Sequence, residues 1–92
     1  MTTKVLENID KYIIFYSKWC KYSMDALNLL KKKKVSYKSY DIDKIEGNLE
    51  YLLEDFKKNK NKIDFDITHR TRPVIFKYGK FIGGFTDLQK IL

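Results

Sequence analysis

The chain has 92 residues, of which 43% are hydrophobic and 34% charged, and its formal net charge is +7 at pH 7. This length leaves room for one core, so we predict a single soluble domain spanning residues 1–92. No stretch approaches the roughly 20 apolar residues of a membrane span, and residues 1–11 lack an apolar segment of signal-peptide length. We therefore expect no membrane partner. Because one cysteine cannot form an internal disulfide, we also expect a cytoplasmic or other reducing compartment.

The positive charge comes mainly from lysine, and the only arginines are Arg70 and Arg72. A basic surface attracts anionic partners. Proteins that bind nucleic acids usually place arginines or stacking aromatics against the bases, whereas most aromatic residues here fall within apolar runs. We therefore expect no nucleic-acid partner and interpret the lysines mainly as a solvated surface.

The first half of the chain predicts a strand–helix–strand unit. Residues 12–16 form a continuous apolar run, which is typical of a strand buried on both faces. Over residues 21–33, Met24 and the leucines that follow it recur at helical spacing, and four lysines suit the helix end. Partial alternation over residues 35–42 indicates a second strand. The helical crossover makes this strand parallel to the first.

A second helix is predicted by four apolar residues at positions i, i+3, i+4 and i+7, beginning at Leu49. Asp43 or Asn48 is the expected cap of this helix. The polar run over residues 57–62 that follows is interpreted as a loop or a frayed helix end.

The last third predicts a hairpin and a final helix. Strands at residues 74–76 and 81–82 are joined by a turn that contains glycine. A helix over residues 87–92 follows, with Thr86 as its N-cap. The order βαβ–α–ββ–α predicts an α/β sandwich with a four-stranded mixed sheet flanked by helices.

Cys20 is the only cysteine, and it stands between the first strand and the first helix. Unpaired backbone N–H groups and the positive end of the helix dipole favour the thiolate form there. Lys18 and Lys21 add nearby positive charge. A single sulfur excludes an internal disulfide and an all-cysteine metal site within one chain. The expected chemistry is therefore thiol–disulfide exchange with an external thiol.

Three segments together resemble the glutaredoxin family, which has a thioredoxin-like fold. They are residues 19–23 after the first strand, residues 71–73 before the third, and residues 83–87 after the hairpin. They occur in the family's order, and the resemblance covers nearly the whole chain. It implies that Cys20 is the nucleophile. Lys21 replaces the family's usual proline, and Ser23 replaces its second cysteine, so the resemblance implies a one-thiol variant.

The resemblance also implies supporting roles for Tyr22, Ser23 and Pro73. Without a second thiol, Ser23 supplies only a hydroxyl, which would cap the helix or bond to the sulfur. Pro73 matches the family's cis-proline, and Arg72 stands where the family usually has valine. Because the residue before that proline binds through its backbone, the change to arginine adds a guanidinium at the rim without removing the contact.

A glutathione site is a further implication of the resemblance. Thr86 and the nearby backbone N–H groups suit the γ-glutamyl carboxylate, and Asp87 suits the ammonium group. Lys18 and Arg70 resemble the family's residues for the glycyl carboxylate, although Lys18 lies two rather than three residues before the cysteine. The implied glutathione-binding residues are Lys18, Tyr22, Arg70, Thr71, Arg72, Pro73, Gly84, Phe85, Thr86 and Asp87. His69 is interpreted as a surface residue.

The resemblance implies a monomeric, glutathione-dependent thiol–disulfide oxidoreductase that reduces protein–glutathione mixed disulfides through Cys20. Glutathione is then the co-substrate, and glutathionylated proteins are the partners. One alternative is a dimer that binds or transfers a [2Fe–2S] cluster held by Cys20 and glutathione from each half. Outside that case we expect no metal. The other alternative is a non-catalytic thioredoxin-like module that docks a partner on its basic surface.

Overall fold

A four-stranded mixed sheet forms the centre of the fold in the computed structural model, which describes Leu6 and residues 9–92. The strands lie in the order β2-β1-β3-β4. The parallel pair is β1 and β2, while β3 is antiparallel to both β1 and β4. The strands are β1 (Tyr12–Tyr16), β2 (Tyr37–Asp41), β3 (Val74–Lys77) and β4 (Lys80–Gly83). The predicted sandwich and its mixed sheet are confirmed.

Helices cover both faces of this sheet. They are α1 (Lys21–Lys32), α2 (Asn48–Lys58), α3 (Lys60–Ile63) and α4 (Phe85–Ile91). One buried cluster, which includes Phe15, Phe56 and Phe76, lies between the sheet and α2. The other, which includes Ile14, Leu30 and Leu88, lies between the sheet and the pair α1 and α4. Alternate residues of β1 therefore enter opposite cores, which explains the unbroken apolar run.

The apolar stripe of α1 differs from the prediction at one position. Met24 is 37% exposed, whereas Ala26, Leu27 and Leu30 are buried. Ser23 is also buried and takes the place on the inner face that Met24 was expected to fill. The buried face of α1 therefore includes the polar residue Ser23, because its hydroxyl accepts a hydrogen bond from the Ser17 N–H.

The start of α2 also differs from the prediction. Its N-cap is Gly47, with φ of 86°, and Asn48 is already the first helical residue. Asp43 lies in a separate 3₁₀ turn, Ile42–Lys44, which Asp41 caps by accepting a hydrogen bond from the Asp43 N–H. This turn ends β2 earlier than predicted, so neither Asp43 nor Asn48 caps α2.

The polar run over residues 57–62, predicted as a loop or a frayed helix end, is divided between the end of α2 and a second helix. The helix continues to Lys58, and a second short helix, α3, runs from Lys60 to Ile63. Ile63 is only 3% exposed and packs into the core with Phe56. This single buried side chain holds a helical turn in place although its neighbours are lysines and asparagines. Within the described residues, no helix has the length and apolar character to cross a bilayer.

Candidate active site

Cys20 is the N-cap residue of α1, in an extended conformation, with no side-chain hydrogen bond capping the helix there. Its backbone N–H donates to the Ser17 carbonyl over 3.1 Å, and its own carbonyl accepts from the Met24 N–H. The Sγ atom lies 3.8 Å from the carbonyl oxygen of Arg72, and the residue is half-buried. Cys20 thus stands at the junction between β1 and α1, as the sequence predicted.

Ser23 neither caps α1 nor contacts the sulfur. It is fully buried, and its Oγ accepts a hydrogen bond from the Ser17 N–H over 3.2 Å. The Ser17 hydroxyl in turn donates to Asp43 Oδ1 over 3.4 Å. The hydroxyl at the family's second cysteine position therefore holds the loop before Cys20 against α1.

The two lysines near the sulfur behave differently. Lys21 Nζ lies 2.7 Å from Asp25 Oδ2, one turn along α1. The hydrogen bond and charge of Asp25 raise the pKa of Lys21. The positive charge of Lys21 is therefore partly balanced by the Asp25 carboxylate and acts less strongly on Cys20. Lys18 is exposed and forms no ion pair within the described part of the chain.

Arg72 and Pro73 form the segment that lies opposite Cys20. The Arg72–Pro73 peptide bond is cis, as the resemblance implied. Pro73 is buried at the start of β3, and β3 pairs with β1 through Phe15 and Val74. Because Cys20 follows β1 closely, this pairing brings Arg72 to the sulfur across 52 positions of sequence.

A cleft of about 350 Å³ lies beside this segment. Its walls contain most of the residues that the resemblance implied for glutathione, together with His69. The lining residues are Tyr22, His69, Thr71, Arg72, Gly84, Phe85, Thr86 and Asp87. Three of the implied residues are not among them: Lys18 is exposed, Pro73 is buried, and Arg70 lines a neighbouring groove with Arg72.

His69 lines this cleft rather than standing free on the surface. It is half-buried, and its Nε2 atom lies 3.3 Å from the Pro73 carbonyl oxygen. Its ring meets Phe81 edge-on, with 5.1 Å between centroids. No periodic pattern in the sequence indicates this residue. Its only local hint was its place just before the segment 71–73.

The far wall of the cleft is the start of α4. The helix begins at Phe85, so Thr86 is inside it rather than its N-cap, and Gly84 takes the cap position. Asp87 Oδ2 accepts a hydrogen bond from the Gly84 N–H over 3.1 Å. Gly83 has φ of 128°, and a Cβ there would collide with the Asp87 carboxylate. Glycine at position 83 therefore lets Asp87 fold back and hold the cleft wall.

The sequence model of the glutaredoxin family matches residues 12–82, which span β1 to β3, the first three helices and all of β4 except its last residue. The chain belongs to the glutaredoxin family. A probable glutaredoxin of Acanthamoeba polyphaga mimivirus is 40% identical over 81 residues, 88% of this chain and 76% of the relative. Glutaredoxin-2 of Schizosaccharomyces pombe is 33% identical over 78 residues, 85% of this chain and 64% of the relative.

Solved structures of other glutaredoxins share this fold. The buckwheat glutaredoxin–glutathione complex superposes with a TM-score of 0.73 at 20% identity, covering 97% of this chain and 73% of that one. The holo form of glutaredoxin C1 from Populus tremula x tremuloides gives a TM-score of 0.74 at 22% identity, with the same coverage. Membership of the glutaredoxin family supports a glutathione-related thiol oxidoreductase function. Among Leu6 and residues 9–92, no cluster of three or more metal-ligating side chains occurs.

Proposed function

We propose that this glutaredoxin reduces protein–glutathione mixed disulfides by a one-thiol mechanism centred on Cys20. The observation that carries the proposal is the position of the sulfur. It lies at the uncapped start of α1, 3.8 Å from the Arg72 carbonyl oxygen, and Arg72 also lines the adjoining cleft. Glutathione binding in this cleft is supported by family membership and by the buckwheat relative, whose structure is a glutathione complex.

The proposed reaction has two exchange steps. The Cys20 thiolate attacks the glutathione sulfur of the mixed disulfide, the old S–S bond breaks, and the target protein leaves as a thiolate that takes up a proton. The thiolate of a second glutathione then attacks the Cys20–glutathione disulfide. Oxidised glutathione leaves, and the Cys20 thiolate is regenerated. The second glutathione is the reductant and both glutathione sulfurs leave together as the disulfide, so the enzyme needs one sulfur only.

The cleft residues have distinct proposed roles. The backbone of Arg72, next to Pro73, pairs with the cysteinyl part of glutathione and presents its sulfur to Cys20. The Thr86 hydroxyl and neighbouring main-chain N–H groups bind the γ-glutamyl carboxylate. Asp87 faces the ammonium group.

The remaining proposed contacts lie at the cleft rim. Tyr22 packs against Phe85, with 6.3 Å between ring centroids, and forms an apolar wall beside the tripeptide. Lys18 and Arg70 lie outside this cleft, so their contact with the glycyl carboxylate requires the tripeptide to extend past Arg72.

Turnover of a glutathionylated peptide with reduced glutathione tests the proposal. Wild-type protein should release the peptide thiol and oxidised glutathione in equal amounts, and Cys20→Ser should abolish the enzyme-dependent rate. Mass spectrometry after treatment with oxidised glutathione should find one adduct, on Cys20. A Ser39→Ala variant, on the exposed edge of β2, is the matched control and should keep full activity. Turnover that survives Cys20→Ser, or none in the wild type, would refute the mechanism.

A further inference from the structure

Arg72 joins the nucleophile to an exposed aromatic residue. Its backbone carbonyl faces Cys20 Sγ, while its guanidinium carbon lies 4.7 Å from the centroid of the Trp19 ring. Trp19 is 68% exposed, and Arg72 is half-buried. A cation over an aromatic face is held in place by the negative charge of that face. The guanidinium therefore packs on the side chain of Trp19, the residue before Cys20, rather than extending freely into solvent.

The hydrogen-bonding capacity of this guanidinium is unused. Within the described residues Arg72 has no carboxylate within ion-pair distance, and its Nε is buried without a hydrogen-bond partner. Contact with Trp19 involves the face of the cation, whereas its five N–H donors lie in its plane. The buried Nε–H cannot be reached from solvent, but the four N–H donors on the two terminal nitrogens remain available to an acceptor that arrives with a substrate.

Arg72 also separates two depressions. On one side is the cleft proposed for glutathione. On the other is a groove of about 530 Å³, lined by Arg70, Arg72 and residues 47–50 and 53 at the start of α2. Glu50 lines this groove too but is not paired with either arginine. The groove thus carries two guanidinium groups against one carboxylate. Arg72 therefore lies between the cleft proposed for glutathione and a groove of net positive charge.

We propose that Arg72, held over Trp19, is a specificity-determining residue that favours glutathionylated proteins with an acidic residue next to the modified cysteine. This inference rests on the proposed function, because it names the substrates of the same site. The fit is one of charge and shape: a planar guanidinium with free donors matches a carboxylate through paired hydrogen bonds.

The test compares peptides of one sequence whose glutathionylated cysteine is flanked by Glu, Gln or Lys. Wild-type kcat/KM should be roughly two- to fivefold higher for the Glu peptide than for the Gln peptide, as expected of an ion pair at a solvent-accessible rim. The Lys peptide should be the poorest of the three, and added salt should reduce the differences. Arg72→Val should bring the Glu-to-Gln ratio close to one. Arg72→Lys should keep part of it, because the charge remains but the planar fork is lost.

Lys33→Gln is the matched control. It removes the same charge at the opposite end of α1, about 20 Å along the helix from Cys20, and should leave the ratio unchanged. An equal ratio in wild type and Arg72→Val, or no preference in the wild type, would overturn the inference. A loss of preference in Lys33→Gln as large as in Arg72→Val would also overturn it, since net charge alone would then explain the effect.

A binding measurement separates this inference from the proposed catalysis. Fluorescence anisotropy of the same labelled peptides with Cys20→Ser, and with the double variant Cys20→Ser/Arg72→Val, needs no turnover. Tighter binding of the Glu peptide that depends on Arg72, together with an inactive wild type, would refute the reaction but keep the recognition. Turnover without Arg72-dependent selectivity would refute the recognition only. Failure of both would refute both.

Discussion

Ser23 stands where the family's second cysteine is expected, and its hydroxyl is occupied by a backbone group. Ser17 and Ser23 are both fully buried, and the Ser17 N–H donates to Ser23 Oγ. A buried N–H without an acceptor retains the cost of its lost hydration. Ser23 therefore does more than replace a second thiol. Its hydroxyl holds the loop that precedes Cys20 in place.

Ser23→Ala tests this role. Removing the acceptor should lower the free energy of unfolding by about 1–3 kcal/mol, since the Ser17 N–H stays buried and unpaired. Urea unfolding monitored by circular dichroism measures the change. Ser39→Ala, at an exposed position, should change stability by less than about 0.5 kcal/mol. Equal stability of Ser23→Ala and wild type would show that the hydrogen bond is replaced by another acceptor.

Asp66 stabilises the turn that precedes His69 through hydrogen bonds to its side chain. Its Oδ1 accepts from the Thr68 hydroxyl over 2.6 Å and from the Thr68 N–H over 2.9 Å, and both bonds lower the pKa of Asp66. A lowered folded-state pKa means that this carboxylate stabilises the fold above the unfolded value, about 4. That contribution is lost as the pH falls through the lower folded value.

Thr68→Val removes the hydroxyl donor and leaves the backbone donor. The pKa of Asp66 should therefore rise towards the ordinary aspartate value without reaching it. Carboxyl-carbon NMR titration of wild type and variant measures the difference. Ser39→Ala should leave the Asp66 titration unchanged. An Asp66 titration that does not move in Thr68→Val would show that the backbone bond alone causes the lowering.

At the scale of elements, α4 depends on Asp87 for its first turn. The carboxylate accepts from the Gly84 N–H, which is one of the groups that a helix start leaves without an internal partner. The same carboxylate is proposed to face the ammonium group of glutathione. Asp87 thus combines a capping hydrogen bond with a charge, and the two contributions can be separated by substitution.

Asp87→Asn keeps an oxygen acceptor and removes the charge. The stability loss should stay near the lower end of the range of about 0.5–2 kcal/mol for lost caps, while the KM for glutathione should rise roughly two- to fivefold. Asp87→Ala should lose both the cap and the affinity. Glu54→Gln, on the exposed face of α2, is the charge-matched control and should change neither. An unchanged KM in Asp87→Asn would remove the ammonium contact from the proposed site.

Element types were predictable from local patterns, but element ends were not. The apolar run of β1 and the leucine spacing of α2 are local signals, and both elements formed. The caps at Gly47 and Gly84 depend on a positive φ and on a side chain reaching back from within the helix, so composition did not reveal them. For the same reason α3 was missed, since one buried isoleucine outweighs its polar neighbours.

The candidate site was predictable only in part. The position of Cys20 follows from a strand–helix junction, which is a local pattern. The contact with Arg72 spans 52 residues, and only the family resemblance indicated it. His69 and the Arg72–Trp19 contact depend on how side chains pack across the fold, and no spacing in the sequence encodes that.

At the scale of the whole molecule, an aromatic cluster fills the core under α2. Phe56 contacts Phe15, Phe65 and Phe76, with ring centroids 5.0–5.5 Å apart. The pairs with Phe15 and Phe76 are edge-to-face and the pair with Phe65 is tilted. Such aromatic pairs add to the free energy of burial. The cluster joins α2 to the strands that carry Cys20 and Pro73 at their ends, so the geometry of the site depends on it.

Phe56→Ala should lower the free energy of unfolding by about 3–5 kcal/mol, because it leaves a large cavity. For a domain of this size each kcal/mol lowers Tm by about 4–8 °C, which calorimetry can measure. Phe56→Leu leaves a smaller cavity and should lose clearly less. If both variants lost the same amount, cavity size would not be the cause.

The buried serine one turn after Cys20 has a consequence for oxidative damage. When peroxide converts a cysteine to sulfenic acid, a neighbouring thiol in the same protein ordinarily condenses with it and stops further oxidation. In this chain the position three residues after Cys20 is Ser23, and its hydroxyl cannot condense with a sulfenic acid to form a disulfide. A thiol from outside the chain must condense with oxidised Cys20 instead, so we expect the proposed activity to survive peroxide only while such a thiol, for example glutathione, is supplied.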